Sequence, residues 1–142
     1  LTTLNDFTKL SFFNSRKATI ASKQYIKKLN IKVNEINTHV MNLSGGNQQK
    51  VVIAKWLTKK CKILLFDEPT RGIDVAAKAQ IWELIEDFAN SGGSVIVASN
   101  EIPELISGCN RIITMQKSKI MNIFEQKDFN EEKISLSIST NL

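Results

Sequence analysis

The spacing of hydrophobic residues changes near Lys62, and the first part of the chain has a helical pattern. Apolar residues recur there every three or four positions, which is typical of amphipathic helices. A first helix is predicted with Ser15 as its cap and its end near Leu29. A polar connection over about 32–42 should lead to a second helix, which begins at Ser-Gly-Gly and ends near residue 60. The first sixty residues are therefore predicted to be helical.

After Lys62, short apolar runs alternate with helical patterns. The runs at 63–66 and 94–98 are continuously hydrophobic, which predicts strands buried on both faces of a parallel sheet. Between them, Asp74 is expected to cap an amphipathic helix. A helix that begins near Pro103 and a hairpin over 111–124 should follow. This order predicts an α/β fold with right-handed crossovers between strands.

Charge is distributed unevenly over the 142 residues, whose net charge is +5. Residues 1–60 carry a net charge of +9 and residues 61–142 carry −4. A basic half can face nucleic acid or lipid headgroups, but these lysines are scattered and no aromatic residues alternate with them. We therefore favour solvated helix faces and expect no nucleic-acid partner. No apolar run approaches the roughly 18 residues of a membrane span, and no signal peptide is expected.

The sequence Ser44-Gly45-Gly46 stands directly before the second predicted helix. A helix N-terminus offers unpaired N–H groups and a partial positive charge, and glycines allow an anion to approach the backbone closely. The hydroxyl of Ser44 adds another donor. This segment is a candidate phosphate site. The alternative is a flexible turn in which the serine only caps the helix.

Asp67 and Glu68 close the apolar strand and are followed by Pro69. Two carboxylates at the C-terminal end of a strand lie where α/β folds bind ligands. Asp67 can bind Mg²⁺, because this ion prefers oxygen ligands and retains waters. Glu68 can position or deprotonate a water molecule. The alternative is an ordinary surface turn.

These segments together resemble the nucleotide-binding domain of ABC-type ATPases. The resemblance covers about 1–124 and rests on four motifs, which are LSGGNQQK (43–50, signature), ILLFDE (63–68, Walker B), RGID (71–74, D-loop) and VIVASNEIPEL (95–105, switch or H-loop). It implies a P-loop NTPase-type core with a helical signature subdomain over 1–60 and a Walker B, D-loop and H-loop part over 61–142. The motifs look most like the second ATPase half of subunits that serve ribose- and galactose-type sugar importers.

The resemblance also implies a role for each candidate site residue. In that family the signature loop of one domain covers the triphosphate of ATP held by the other, so Ser44, Gly45 and Gly46 would act in trans. The remaining roles are binding of Mg²⁺ by Asp67, general-base catalysis by Glu68 and organisation of the interface by Asp74. Gln48 and Gln49 lie in the first turn of the helix, where they either orient the loop or are simply solvated. The implied partners are the other ATPase domain and a membrane permease, at the cytoplasmic face of the membrane.

Two departures from the family pattern qualify these expectations. The sequence contains no G-x-x-x-x-G-K-[ST] phosphate loop, and Asn100 stands where the family has its switch histidine. An amide does not exchange a proton near neutral pH as histidine does. By itself the chain is expected to be inactive as an ATPase. Two other interpretations stay open, a docking module that binds no nucleotide and an ABC-type ATPase of DNA maintenance.

The family fold also predicts a defect in the sheet. The strand that leads into the phosphate loop should lie between 94–98 and 111–115, and it is not part of this sequence. Strand 63–66 should still pair with 94–98. The free edge of 94–98 is expected to recruit the 111–124 hairpin or a second copy of the chain, because unpaired apolar edges attract other strands.

Overall fold

The computed structural model describes residues 8–9, 12–59 and 61–139, with side chains from Asn14 onward. The helices and strands follow the order expected for an α/β chain. In chain order they are β1 Thr8–Lys9, β2 Phe12–Phe13, α1 Ser15–Lys28, α2 Gly45–Leu57, β3 Ile63–Asp67, α3 Val75–Asn90, β4 Ser94–Ala98, α4 Ile102–Gly108, β5 Arg111–Gln116, β6 Lys119–Glu125 and α5 Glu131–Ser139. A short 3₁₀ turn over Val40–Asn42 leads into α2.

The N-terminal part differs from the sequence prediction in two details. It is not wholly helical, because β1 and β2 pair antiparallel with Thr8 opposite Phe13. The cap of α1 is Asn14 rather than Ser15, since the side chain of Asn14 accepts a hydrogen bond of 2.9 Å from the amide of Lys17. Serine and asparagine both cap helices well, so residue type alone did not distinguish the two neighbours.

The chain separates into two compact units, which divide between Val97 and Ala98. In the first unit, α1 and α2 enclose a small core around Leu29, Ile31 and Ala54. A second core forms where α2 and α3 cover strands β3 and β4, and its buried residues are Ile53, Ile81 and Ile85. Leu57 packs against both cores. The predicted division into a helical subdomain over 1–60 and a core part over 61–142 has another boundary than these two compact units. It stays a prediction.

Strands β3 and β4 pair side by side, as expected from the sequence. The amide of Ser94 bonds the carbonyl of Lys62 at 2.9 Å, so the two strands start at the same edge and run in the same direction. The expected burial on both faces is wrong. Leu64 is 5% exposed, whereas Ile63 and Leu65 on the opposite face are 58% and 74% exposed. One face of this strand pair packs on helices, and the other is open.

The predicted break in the sheet is confirmed, because β3 and β4 form a sheet of only two strands within the described residues. Recruitment of the hairpin is not observed there, since β5 and β6 pair with each other in a separate sheet. This hairpin closes through a tight turn in which Lys117 and Ser118 both have positive φ. Its pairing is local in sequence, and the entropic cost of closing it is therefore small.

The second unit is organised by the hairpin and α5. Ile112 and Ile134 are buried in it, and so is the polar residue Thr114. The hydroxyl of Ser137 on α5 lies 3.0 Å from that of Thr114, which also accepts a bond of 3.2 Å from the amide of Asn122. Because both strands and the helix meet at this hydroxyl, it helps to fix α5 on the hairpin.

Candidate functional site

The N-terminus of α2 is built so that its first amides are left open. Ser44 is the N-cap residue in an extended conformation, and its carbonyl accepts the first helical bond, 2.9 Å from the amide of Gln48. The amides of residues 45–47 therefore have no acceptor within the helix. Among the described residues, the side chain of Ser44 makes no capping bond to them. This arrangement leaves three N–H donors and the positive end of the helix dipole at one point.

Side chains of α2 itself hold the loop that precedes the helix. The side-chain amide of Asn47 donates to Oγ of Ser44 at 2.8 Å, and its carbonyl oxygen accepts from the amide of Lys32 at 2.8 Å. Nε2 of Gln48 donates to the carbonyl of Leu43 at 2.8 Å. The loop is thus fixed both to its own helix and to the connection after α1.

The two glycines of the signature segment have different surroundings. A Cβ atom added to Gly46 would lie 2.6 Å from Cβ of Ala77 and 3.3 Å from a methyl group of Ile73. Around Gly45 the nearest such neighbour is the carbonyl of Gly72, at 4.0 Å. Gly46 therefore permits the close packing of α2 against the start of α3, while a side chain at Gly45 would make only ordinary van der Waals contact. This packing places the signature segment directly beside the predicted D-loop.

Asp74 occupies the N-cap of α3, as predicted. Its Oδ1 accepts a hydrogen bond of 2.9 Å from the amide of Ala77, and its carbonyl bonds the amide of Lys78. The carboxylate is thus bonded to its own helix, and its neighbour Ile73 and its bonding partner Ala77 are the residues that contact Gly46. Its position at the contact between α2 and α3 comes from ordinary N-capping.

Lys50 connects the two helices from inside the unit. Only 3% of this residue is exposed, and its ammonium group donates to the carbonyl of Asn30 at 3.1 Å and to Oε1 of Gln80 on α3. Burial lowers the pKa of Lys50, the nearby charge of Lys32 lowers it further, and Asp74 opposes the shift. Sequence reasoning missed this residue. A signal existed, because Lys50 lies one turn from both Gly46 and Ala54 on the buried side of α2.

Asp67 and Glu68 lie at the C-terminal end of β3, in the same unit as the signature segment. The carboxylate of Asp67 is exposed. Glu68 has a φ of 47°, in the left-handed region where a non-glycine residue pays a steric cost of about 1–2 kcal/mol. Pro69 and Thr70 are buried immediately after it. A strained backbone persists only where the surrounding structure holds it, and the two buried residues provide such support next to Glu68.

Asn100 is exposed and lies in the second unit, in the segment between β4 and α4. The amide of the next residue, Glu101, bonds the hydroxyl of Ser99 at 3.1 Å. The first unit therefore contains every other predicted site residue, and Asn100 belongs to the unit that follows it in the chain. Among those residues, the structure shows contact between the signature glycines and the segment around Asp74.

An open cleft of about 490 Å³ borders the signature segment. Polar and apolar atoms are exposed on its walls to about the same extent. The walls are formed by Lys32, Val33, Asn34, Thr38, Asn42, Leu43, Ser44 and Asn47. Within the described ranges, no group of three or more His, Cys, Asp or Glu side chains is placed to hold a metal ion. Over the same ranges, no helix has the length and hydrophobicity needed to cross a membrane.

Comparison with known proteins gives a consistent result. Residues 3–71 match the family model described as ABC transporter. The chain is 40% identical over 134 residues to the ribose import ATP-binding protein RbsA of Streptococcus agalactiae, a match that covers 94% of this chain and 27% of that protein. It is 44% identical over 127 residues to the xylose import ATP-binding protein XylG of Thermoanaerobacter pseudethanolicus, over 89% and 25% of the two chains. The chain thus spans about a quarter of the length of these curated relatives.

The fold is also found among solved structures. The dimeric ATP-binding cassette MJ0796, bound to ADP and Pi in a post-hydrolysis state, matches with a TM-score of 0.72 over 87% of this chain and 53% of that one. At 24% sequence identity this match shows the fold alone. The family model, the sequence relatives and the shared fold agree, and over most of its length the chain is similar to ATP-binding proteins of the ABC transporter family.

Proposed function

We propose that this chain is part of an ATP-hydrolysing subunit that powers the import of a small sugar across a membrane. Its main contribution is the signature segment, which contacts the γ-phosphate of an ATP molecule held by another ATPase domain. The names of the sequence relatives support sugar import and do not favour DNA maintenance. A membrane permease is the second partner, and the subunit would lie at the cytoplasmic face of the membrane.

The observation that carries this proposal is the open N-terminus of α2. The helix presents the amides of residues 45–47, and the hydroxyl of Ser44 is not used to cap them among the described residues. Anions bind such helix starts through backbone N–H groups and the helix dipole. A docking module without nucleotide contact would have no need for this arrangement.

The carboxylates after β3 have separate roles in the proposed subunit. Asp67 would hold Mg²⁺, and a single exposed carboxylate suits this ion, which keeps several waters and takes phosphate oxygens as further ligands. When bound, the ion neutralises negative charge on the phosphates. Glu68 would accept a proton from the attacking water, and its backbone at the end of β3 is held in a strained conformation of the kind found at functional sites.

Two further residues complete the assignment. Asp74 would organise the interface between the ATPase domains, because it caps α3 where this helix meets the signature segment. Asn100 would replace the switch histidine and can donate or accept a hydrogen bond, but it does not transfer a proton near neutral pH. We therefore expect the chain to act mainly in trans.

The test is Ser44→Arg in the complete ATP-binding subunit, measured as ATP hydrolysis with purified permease. The arginine side chain would fill the space meant for phosphate, and we expect the rate to fall about 100-fold, as when a donor to a developing charge is lost. Ser22→Arg, at an exposed position of α1, is the control and should retain activity. Unchanged hydrolysis and transport in Ser44→Arg would disprove contact in trans.

A further inference from the structure

The hydrogen bonds of Asn47 determine the direction of the bond at Ser44. A backbone N–H group only donates, so the atom of Asn47 that lies 2.8 Å from the amide of Lys32 must be its carbonyl oxygen. The NH₂ group of the same side chain then faces Ser44 and donates to its Oγ at 2.8 Å. Ser44 is therefore the acceptor in this pair, and its own hydroxyl proton is not used by Asn47.

We propose that Asn47 is a positioning residue that sets the hydroxyl of Ser44 as a hydrogen-bond donor toward phosphate. This inference rests on the proposed function, because it assumes that the signature segment meets the γ-phosphate. Asn47 takes up one acceptor site of Ser44 and leaves the proton to point outward. The side chain of Asn47 is itself held by the amide of Lys32, which lies 15 residues earlier in the chain.

This geometry separates Asn47 from the residues that merely stabilise the helix. Nε2 of Gln48 donates to the backbone carbonyl of Leu43, and this bond does not involve the hydroxyl of Ser44. Asp74 is engaged with the amide of Ala77. Within the described residues, Asn47 is the side chain shown to bond the hydroxyl of Ser44.

The decisive variant is Asn47→Asp in the complete ATP-binding subunit. It is nearly isosteric and retains an acceptor for the amide of Lys32, so the fold should be preserved. Its carboxylate accepts but does not donate, and it would draw the hydroxyl proton of Ser44 into the loop. We expect kcat for ATP hydrolysis to fall about tenfold or more, which corresponds to a lost hydrogen bond to a charged group.

The Michaelis constant gives a readout that a structural defect would not reproduce. ATP is held mainly by the phosphate loop of the other domain in the proposed assembly, so KM should change less than kcat. The melting temperature should stay near that of the unmodified subunit. The control is Asn34→Asp, which adds the same charge at an exposed position of the same cleft and should leave kcat within twofold.

A double-mutant cycle then tests whether Asn47 acts through Ser44. Asn47→Ala should reduce kcat when Ser44 is present and should have no further effect in a Ser44→Ala background. Additive losses, or a kcat of Asn47→Asp equal to that of Asn34→Asp, would overturn the role of Asn47 even if Ser44→Ala is impaired. If Ser44→Ala itself keeps full activity, the proposed function fails, and the role of Asn47 fails with it.

Discussion

The N-termini of α2 and α3 pack against each other in the first unit, and they differ in whether a side chain caps their first amides. Asp74 closes the start of α3 with its own side chain, at 2.9 Å from the amide of Ala77. Ser44 begins α2 without a side-chain cap among the described residues, and its oxygen instead accepts from Asn47. Capping a helix stabilises it, so the open start of α2 gives up stability that α3 retains. The difference supports the proposal that the start of α2 contacts an anion, whereas the cap of α3 contributes to folding.

The largest expected effect on stability comes from replacing the two glycines at the start of α2 one at a time. Gly46→Ala should lower the free energy of unfolding of this chain by about 2 kcal/mol, because the added methyl group overpacks the contact with Ala77. Gly45→Ala should be neutral or slightly stabilising, since Ala favours helix and space is available. Urea denaturation of both variants gives the comparison. Equal effects would mean that the contact between the helices does not depend on Gly46.

The two caps themselves give a smaller and more direct test. Asp74→Ala should lower the free energy of unfolding by about 1 kcal/mol, the usual value for loss of an N-cap. Ser44→Ala should change it by a few tenths of a kcal/mol, because its side chain does not cap α2. Thermal or urea denaturation measures both. A larger loss for Ser44→Ala than for Asp74→Ala would reverse the assignment of the two helix starts.

The smallest effect concerns Lys50, whose ammonium group joins the two helices. Burial lowers its pKa in the folded chain, so the unfolded chain binds more protons between that lowered value and the ordinary lysine pKa of about 10.4. Stability contributed by Lys50 should therefore rise with pH across this window and stay constant below it. The measurement compares unfolding of the unmodified chain with Lys50→Met.

Lys55→Met serves as the control for this titration, because Lys55 is exposed on the same helix. Relative to the unmodified chain, its stability should not depend on pH over the same window. If the Lys50→Met difference is constant with pH, or if stability falls with rising pH, the proposed desolvation of Lys50 is wrong.

The sequence was sufficient to predict features that depend on neighbouring residues. The cap at Asp74, the hairpin after Arg111 and the helix around Pro103 all follow from local spacing and turn chemistry, and each is present. Strands β3 and β4 were also placed correctly, whereas β1 and β2 were missed and burial on both faces of β3 was wrong. A continuous apolar run reports composition, whereas burial depends on which surfaces are available to cover it.

The features that the sequence did not reveal depend on residues far apart in the chain. Asn47 receives its anchor from Lys32, and Lys50 finds an acceptor at Gln80, thirty residues later. Gly46 was interpreted as a means for an anion to approach the backbone, although the structure shows that its missing side chain also makes room for Ala77. Such partners are set by packing of helices, which motif spacing alone does not specify.

The strained backbone of Glu68 has a consequence for engineering and for evolution. At a φ of 47° the side chain of Glu68 strains the backbone, whereas glycine adopts this conformation without steric strain. Selection for thermal tolerance alone would therefore favour replacement of Glu68 by glycine, and the carboxylate would be lost. Heat-resistant variants obtained without a screen for hydrolysis would accumulate substitutions at the position where chemistry is expected, because activity and stability make opposite demands there.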